Sequence, residues 1–196
     1  MEYGGAELLG YACSGSRCRV LAGANAVQWW AVGGLAVIAS VGDLRTGRVP
    51  NVLTFGAAAV GVCYSAVQGG ISGLGSSVLG LFLGVAVFLP LFALGGMGAG
   101  DVKLVGAFGA WLGPMGVLWA AMWASLAGGV LALVIASWRG YLLEALRNVG
   151  AMVGVWRVVG PSPVAGMTLR DSRGPRLAYA LPIGIGALLA LWRSVS

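Results

Sequence analysis

The sequence predicts an all-α polytopic membrane protein of about six transmembrane helices, with an amphipathic interfacial helix before the last span. Three observations carry that reading. Of 196 residues, 59% are hydrophobic and only 9% are charged, against roughly a quarter charged in an ordinary soluble domain. No charged residue occurs from Val49 to Gly100 or from Leu104 to Trp138. Neither run can be hydrated as a surface, and both are long enough for membrane spans of about 20 residues each.

The elements follow in chain order. Residues 1–24 carry Glu2, Glu7, Arg17 and Arg19, lack the basic start and cleavage pattern of a secretory signal, and form an N-terminal segment with no assignable role. Residues 25–196 form one membrane-embedded domain. Asn25–Val41 is a first span, ending at Asp43. The polar loop DLRTGRVPN follows, and Asn51 is a natural N-cap for a second span over Val52–Gln68. The Gly- and Ser-rich stretch Gln68–Ser77 reads as a turn. A third span over Ser77–Leu94 stops at GGMGAGD. The apolar run Val102–Ser137 is divided by Gly113-Pro114 into a short fourth span of roughly 18 Å of helix and a longer fifth. A final span covers Leu177–Trp192.

Between the fifth and last spans, Trp138–Gly160 has helical periodicity. At 100° per residue, Trp138, Tyr141, Leu142, Ala145, Leu146, Val149, Met152, Val153 and Trp156 fall in one arc of about 140°, while Arg139, Glu144, Arg147 and Arg157 fall outside it. A basic, Trp-bearing helix of this kind lies at the headgroup boundary. It serves as an anchor between spans or as a wall of a substrate groove. Gly160–Pro175 reads as a Pro/Gly-rich loop.

With six spans, one side receives Arg45, Arg48, Lys103, Arg139, Arg147, Arg157, Arg170, Arg173 and Arg176, and the other Arg17, Arg19 and Arg193. The positive-inside rule puts the first group in the cytoplasm. The net charge of +6 is thereby assigned to membrane topology, and the basic residues lack the aromatic interleaving of a nucleic-acid-binding face. Asp43 and Asp101, two spans apart, emerge on the same cytoplasmic face.

Composition also limits the chemistry. There is no histidine, which removes Ser-His and Cys-His catalysis and histidine-ligated metals. Cys13, Cys18 and Cys63 make no CxxC pair and cannot form a four-cysteine zinc site; Cys63 reads as a small packing residue. No metal or cofactor is called for. Of six acidic residues, Glu2, Glu7, Glu144 and Asp171 fall in loops or on a polar helix face. Asp43 and Asp101 sit at the membrane boundary, where ionisable groups are costly and tend to be functional. Two close carboxylates cannot both ionise, so one stays protonated while the other is anionic; the anion can activate water and the acid can assist a carbonyl. Structural roles compete with this. Asp101 can be an N-cap, and Asp43 a juxtamembrane charge neutralised by Arg45 or Arg48.

The segment Gly98-Ala99-Gly100-Asp101-Val102-Lys103 reads GxGDxK, and Asp43 opens DLRTGRVPN. Together they resemble the paired motifs of the type IV prepilin peptidases, integral-membrane aspartic proteases of the GxGD class. The resemblance covers about Leu35–Gly113, and AYALPIGIG (Ala178–Gly186) is loosely similar to the family's P-Y-[GA] segment, with Ala178 in place of proline. It implies Asp43 and Asp101 as the catalytic pair, with Gly98, Gly100 and Lys103 in support. Gly98 and Gly100 would supply unusual backbone angles and close substrate approach, and Lys103 a charge favouring a nearby carboxylate anion. It also implies a prepilin or pilin-like substrate, cleaved on the cytoplasmic side of a bacterial or archaeal inner membrane. Without the four-cysteine segment of the larger bifunctional members, the chain is similar to the short, tight-adherence type, for which N-methylation is not expected. Three other readings fit the bare residues: a small transporter or channel using the aspartates for a cation or protons, a broader GxGD intramembrane protease, and a non-catalytic scaffold of a secretion machine.

Overall fold

The computed structural model describes residues 26–46, 49–94, 96–140, 142–160 and 179–195. The N-terminal segment, Cys13, Cys18, Arg48 and most of the Gly160–Pro175 loop lie outside the described residues. Among the described residues every regular element is helical: α1 (Ala26–Thr46), α2 (Asn51–Ala93), α3 (Ala99–Trp138), α4 (Leu142–Val159) and α5 (Ala180–Val195). Helices α1, α2 and α3 are long and apolar enough to cross a membrane, and α5 is a shorter apolar helix.

At about 1.5 Å per residue, α2 and α3 would each be about twice as long as the hydrocarbon thickness of about 30 Å if straight. Both instead break at a glycine. Gly70 (φ 59°, ψ −141°) divides α2, and Gly113 (φ 70°, ψ −178°), followed by Pro114, divides α3. A residue with a Cβ is disfavoured at these angles, and Pro114 has no N–H to continue a helical ladder. The breaks are reversals, as the packing partners demonstrate. Asn51 meets Lys103 and Ala57 meets Trp111, so the first limb of α2 runs parallel to the first limb of α3. Ser77 meets Ala110 and Gly84 meets Val105, so the second limb of α2 runs the other way. Gly84 also faces Val117, which puts the second limb of α3 parallel to the second limb of α2. Helix α5 lies antiparallel beside this last limb, with Gly186 against Ala124 and Arg193 over Trp119. Helix α1 then packs on α5 through Ala36 and Gly184.

The expected turn at Gln68–Ser77 contracts to the single residue Gly70, and helix resumes at once. Helix α1 continues to Thr46, so Asp43 lies inside its last turns rather than after its end. Asn51 is the first residue of α2, whose N-cap is Pro50; its side chain is used elsewhere. The helix expected from Trp138 begins at Leu142. Trp138 ends α3, and Gly140 (φ 73°) turns the chain between the two helices. Cys63 is exposed and does not pack inside.

The distribution of side-chain size is that of a bundle in lipid. The core is rich in small residues, among them Ala36, Ala39, Ala107, Ala120, Ala124, Ala187 and Ala190, around Leu104, Phe108 and Val117. Large apolar residues face outward, with Val52 and Val67 each 86% exposed and Ile71 90%. Small residues at helix interfaces let backbones meet where no hydrophobic force drives association. The closest approach joins the second limb of α2 to the first limb of α3: a Cβ on Gly80 would strike the Gly109 carbonyl, and one on Gly109 would strike that of Gly80. Exposed Trp30 and Trp192 mark one end of the bundle and Trp138 the other, as in an interfacial aromatic belt. Gly80→Leu is therefore expected to abolish recovery of folded protein or sharply lower its melting temperature in detergent. Gly129→Leu, which adds a side chain where nothing lies within 4 Å, leaves the melting temperature near that of wild type.

Candidate functional site

Because α1 ends, and α2 and α3 begin, at the same end of the bundle, their terminal residues converge there. A pocket of about 500 Å³ is lined by Asp43 of α1, Val49 and Pro50 of the following link, Asn51 of α2, and Ala99, Gly100, Asp101 and Lys103 of α3. That volume lies within the roughly 300–1,000 Å³ of small-ligand sites. Asp43, Asp101 and Lys103 thus share one wall-to-wall space although Asp43 and Asp101 are 58 positions apart in sequence.

Each carboxylate is held by a helix N-terminus. The backbone N–H of Ala180, the first residue of α5, donates to Asp43 Oδ2 at 3.3 Å. The first N–H groups of a helix have no partner within it, and Pro182 in the same turn has none to offer, so Asp43 acts as a cap supplied from a distant helix. Asp101 is the third residue of α3, behind the N-cap Gly98. The Asp101 carboxylate turns back toward Gly98, where a Cβ would lie 3.1 Å from its Oδ2, and the Gly98 backbone N–H favours its charge, in the position of the reach-back half of a capping box. Asp101 is therefore not the N-cap that its sequence context allows. The two carboxylates are near enough to interact electrostatically, and both are half-buried.

The glycines of the GxGD segment contribute space rather than special angles. Gly98 has φ −76°, and neither Gly98 nor Gly100 is among the glycines with positive φ, which corrects the expectation of unusual backbone angles there. A Cβ on Gly98 would lie 3.1 Å from Asp101 Oδ2, and one on Gly100 would touch Val49 at 3.4 Å. Side chains at these positions would crowd the carboxylate and the pocket wall.

Lys103 does not pair with Asp101. Its Nζ donates to Asn51 Oδ1 at 3.0 Å and lies 5.2 Å from the centre of the Phe55 ring. Residues two apart on a helix do not face each other directly, but a four-carbon stem can reach either way; here it turns toward α2. Two residues outside the expected set belong to this end of the bundle. Asn51 is one; its place in DLRTGRVPN was the available signal. Tyr179, in the loosely matched AYALPIGIG segment, is the other. It packs against Gly128, and burial, then the Asp101 carboxylate, push its phenol above the usual range, so it remains a neutral O–H donor. Among the described residues no cluster of three or more His, Cys, Asp or Glu side chains is placed to hold a metal ion.

The capping bond gives Asp43 a structural duty that can be measured. Removing a capping acceptor costs about 0.5–2 kcal/mol, whereas Asn is as good a cap as Asp. Asp43→Ala is expected to lower the melting temperature and speed hydrogen exchange in the first turn of α5, and Asp43→Asn to change both much less.

The sequence profile of the type IV leader peptidase family matches residues 30–133, more than half of the chain and the whole of the pocket lining. A prepilin leader peptidase/N-methyltransferase of Burkholderia pseudomallei (strain 1026b) is 34% identical over 105 residues, which cover 50% of this chain and 33% of that protein. The protein of the same description from Neisseria gonorrhoeae is 32% identical over 152 residues, covering 67% of this chain and 53% of that protein. The chain thus spans between a third and about half of the length of the curated relatives it matches. No solved structure matches it. With more than half of its length matched by the family profile, and that half containing Asp43, Asn51, Asp101 and Lys103 together, the chain belongs to the type IV leader peptidase family.

Proposed function

We propose that Asp43 and Asp101 are the catalytic pair of an aspartic endopeptidase. The enzyme removes the N-terminal leader of a prepilin or pilin-like precursor at the cytoplasmic face of the membrane. The observation that carries the reading is the convergence of the two carboxylates on one pocket at one end of the bundle. Membership in a peptidase family and the names of the relatives support the reaction class and the substrate.

The chemistry needs only these groups. With one proton shared between them, the anionic aspartate takes a proton from a water molecule as its oxygen attacks the peptide carbonyl. The protonated aspartate donates to the carbonyl oxygen, giving a neutral gem-diol and leaving the pair with one proton. Transfer of that proton to the amide nitrogen, with return of a hydroxyl proton to the other carboxylate, breaks the C–N bond and releases amine and acid. Gly98 and Gly100 leave room for an extended peptide beside Asp101, and Lys103 supplies a positive charge on the opposite wall.

In this reading the limbs on either side of Gly70 and Gly113 cross the bilayer separately, making six spans with α1 and α5. Helix α4 lies at the cytoplasmic interface through Leu143, Leu146 and Val149, all exposed, with Arg147 and Arg157 toward headgroups. The pilin's apolar helix rests in lipid beside the bundle while its leader reaches the pocket.

Co-expression with a candidate prepilin, followed by mass analysis of the precursor, tests the chemistry. Wild type is expected to trim the leader, while Asp43→Asn and Asp101→Asn, present in membranes at wild-type levels, each lose trimming by at least about a hundredfold, the lower end of acid–base contributions. Processing by either single variant at a wild-type rate would overturn the pair. Topology is tested separately, in a chain with Cys13, Cys18 and Cys63 replaced by alanine. A cysteine at Ser72 is expected to react with an impermeant maleimide from outside the cell, and one at Arg139 only after the membrane is opened.

A further inference from the structure

The GxGDxK pattern suggests a lysine that assists its neighbouring aspartate, yet in the structure the ammonium is engaged by a neutral amide on another helix. Lys103 Nζ is 3.0 Å from Asn51 Oδ1 and is stacked near Phe55, while Asp43, Asp101, Asn51 and Lys103 all line the same pocket. We propose that Asn51 is a positioning residue that holds the Lys103 ammonium on the α2 wall and keeps it from forming an ion pair with Asp101 or Asp43. The inference rests on the leader-peptidase reading of this pocket.

The physical argument concerns what a neutral tether does and a charged one does not. An amide oxygen satisfies one of the three donors of an ammonium without cancelling its charge, so the cation keeps its field across the pocket. Lysine is a point charge on a flexible four-carbon stem. Without the tether, its ammonium can swing toward either carboxylate lining the same space. An opposite charge within about 4–6 Å favours the ionised carboxylate by about 1–3 pH units. A pair that must keep one proton to act as acid would then lose it at a lower pH. Among the described residues, the groups at or beside this space can be named by element: Asp43 from α1, with exposed Arg45 two residues on; Asn51 and, against Lys103, Phe55 from α2, neither ionisable; Asp101 and Lys103 from α3; and neutral Tyr179 ahead of α5. Among the described residues Lys103 is thus the pocket cation, and Asn51 controls its position relative to the pair.

The test is the pH dependence of kcat/KM for prepilin cleavage by the full-length chain in membranes or detergent. The set is wild type, Asn51→Ala, Lys103→Met and the double variant, with melting temperatures measured alongside. Asn51→Ala is expected to move the alkaline limb of the profile down by about one pH unit or more and to lower the rate on that limb about tenfold. In the Lys103→Met background the same substitution is expected to move nothing, because there is no ammonium to release. A loss of rate in Asn51→Ala with an unmoved alkaline limb, or an equal shift with and without Lys103, would overturn the proposal and leave Asn51 as a structural link between α2 and α3. Should Asn51→Ala fail to accumulate, Asn51→Ser, whose shorter side chain withdraws the acceptor, takes its place. Cleavage that survives Asp101→Asn in the same assay sinks the dyad and this inference together, whereas an intact dyad with an unmoved limb sinks this inference alone.

Discussion

The contact on which the pocket depends is the backbone-to-backbone approach of α2 and α3 at Gly80 and Gly109, where neither helix has room for a Cβ. It brings the second limb of α2 against the first limb of α3, and the Ser77–Ala110 hydrogen bond at 2.6 Å lies one turn away. The first limb of α2 reaches the same part of α3 from another side, through Trp111 Nε1 and the Ala57 carbonyl at 2.9 Å. The first limb of α3 is accordingly enclosed, with every residue from Leu104 to Trp111 buried. A rod so fixed delivers its first turn, and with it Asp101, to a defined place. In a bilayer, where exposed apolar surface carries no penalty, such close packing has to come from shape. That explains why glycine and alanine line the closest contacts while large apolar side chains such as Val52, Val67, Ile71 and Phe82 face out.

The electrostatic arrangement follows from helix ends rather than from charge pairs. Two carboxylates at one end of an apolar bundle are unfavourable neighbours, and the usual remedy would be a cation against each. Here each meets a backbone N–H at the start of a helix instead: Ala180 for Asp43 and Gly98 for Asp101. Helix N-termini stabilise negative charge without adding an ionisable group. The single lysine in the pocket is thereby free to bind elsewhere, and it binds Asn51. Polar backbone at helix ends is the one polar resource that a chain with no histidine and six acidic residues has in abundance.

Much of this was legible in the sequence, and the parts that were not have physical reasons. The two long uncharged runs announce helices in lipid, and Gly113-Pro114 is readable as a break because proline forbids the ladder. The break at Gly70 is harder to place among Gly69, Gly70, Gly73 and Gly75, since only one of them adopts φ > 0 and composition does not say which. The end of α1 at Thr46 lies beyond the apolar boundary because Asp43 and Arg45, which look like loop residues, make up a polar last turn that still continues the helix. Asp43 and Asp101 could be selected from sequence by elimination and by family resemblance. Their contacts could not, because the partner of Asp43 is the N–H of a residue 137 positions away. The role of Asn51 is hidden for a related reason. As a residue type it is a good N-cap, but Pro50 already begins the helix in an extended conformation (φ −62°, ψ 133°), and a cation 52 positions on uses the amide instead.

Under the proposed chemistry, the capping bonds also divide labour between the carboxylate oxygens. Asp43 Oδ2 accepts from Ala180, which anchors the side chain and ties it to the entry of α5. The other oxygen of Asp43 is then the one at liberty to take a proton from water. Asp101 is placed within its own helix, its carboxylate turned back toward Gly98 at the start of α3. A carboxylate fixed through one oxygen loses little of its freedom to exchange a proton at the other, yet it loses most of its freedom to wander. That matters for a reaction whose two acid–base groups come from helices with little direct contact at this end. Helix α1 packs on α5 at Ala36 and Gly184, and α5 packs on α3 at Gly186 and Ala124, so α5 already registers α1 against α3. The hydrogen bond from Ala180 to Asp43 carries that registration into the pocket and fixes the side chain as well as the helix that bears it.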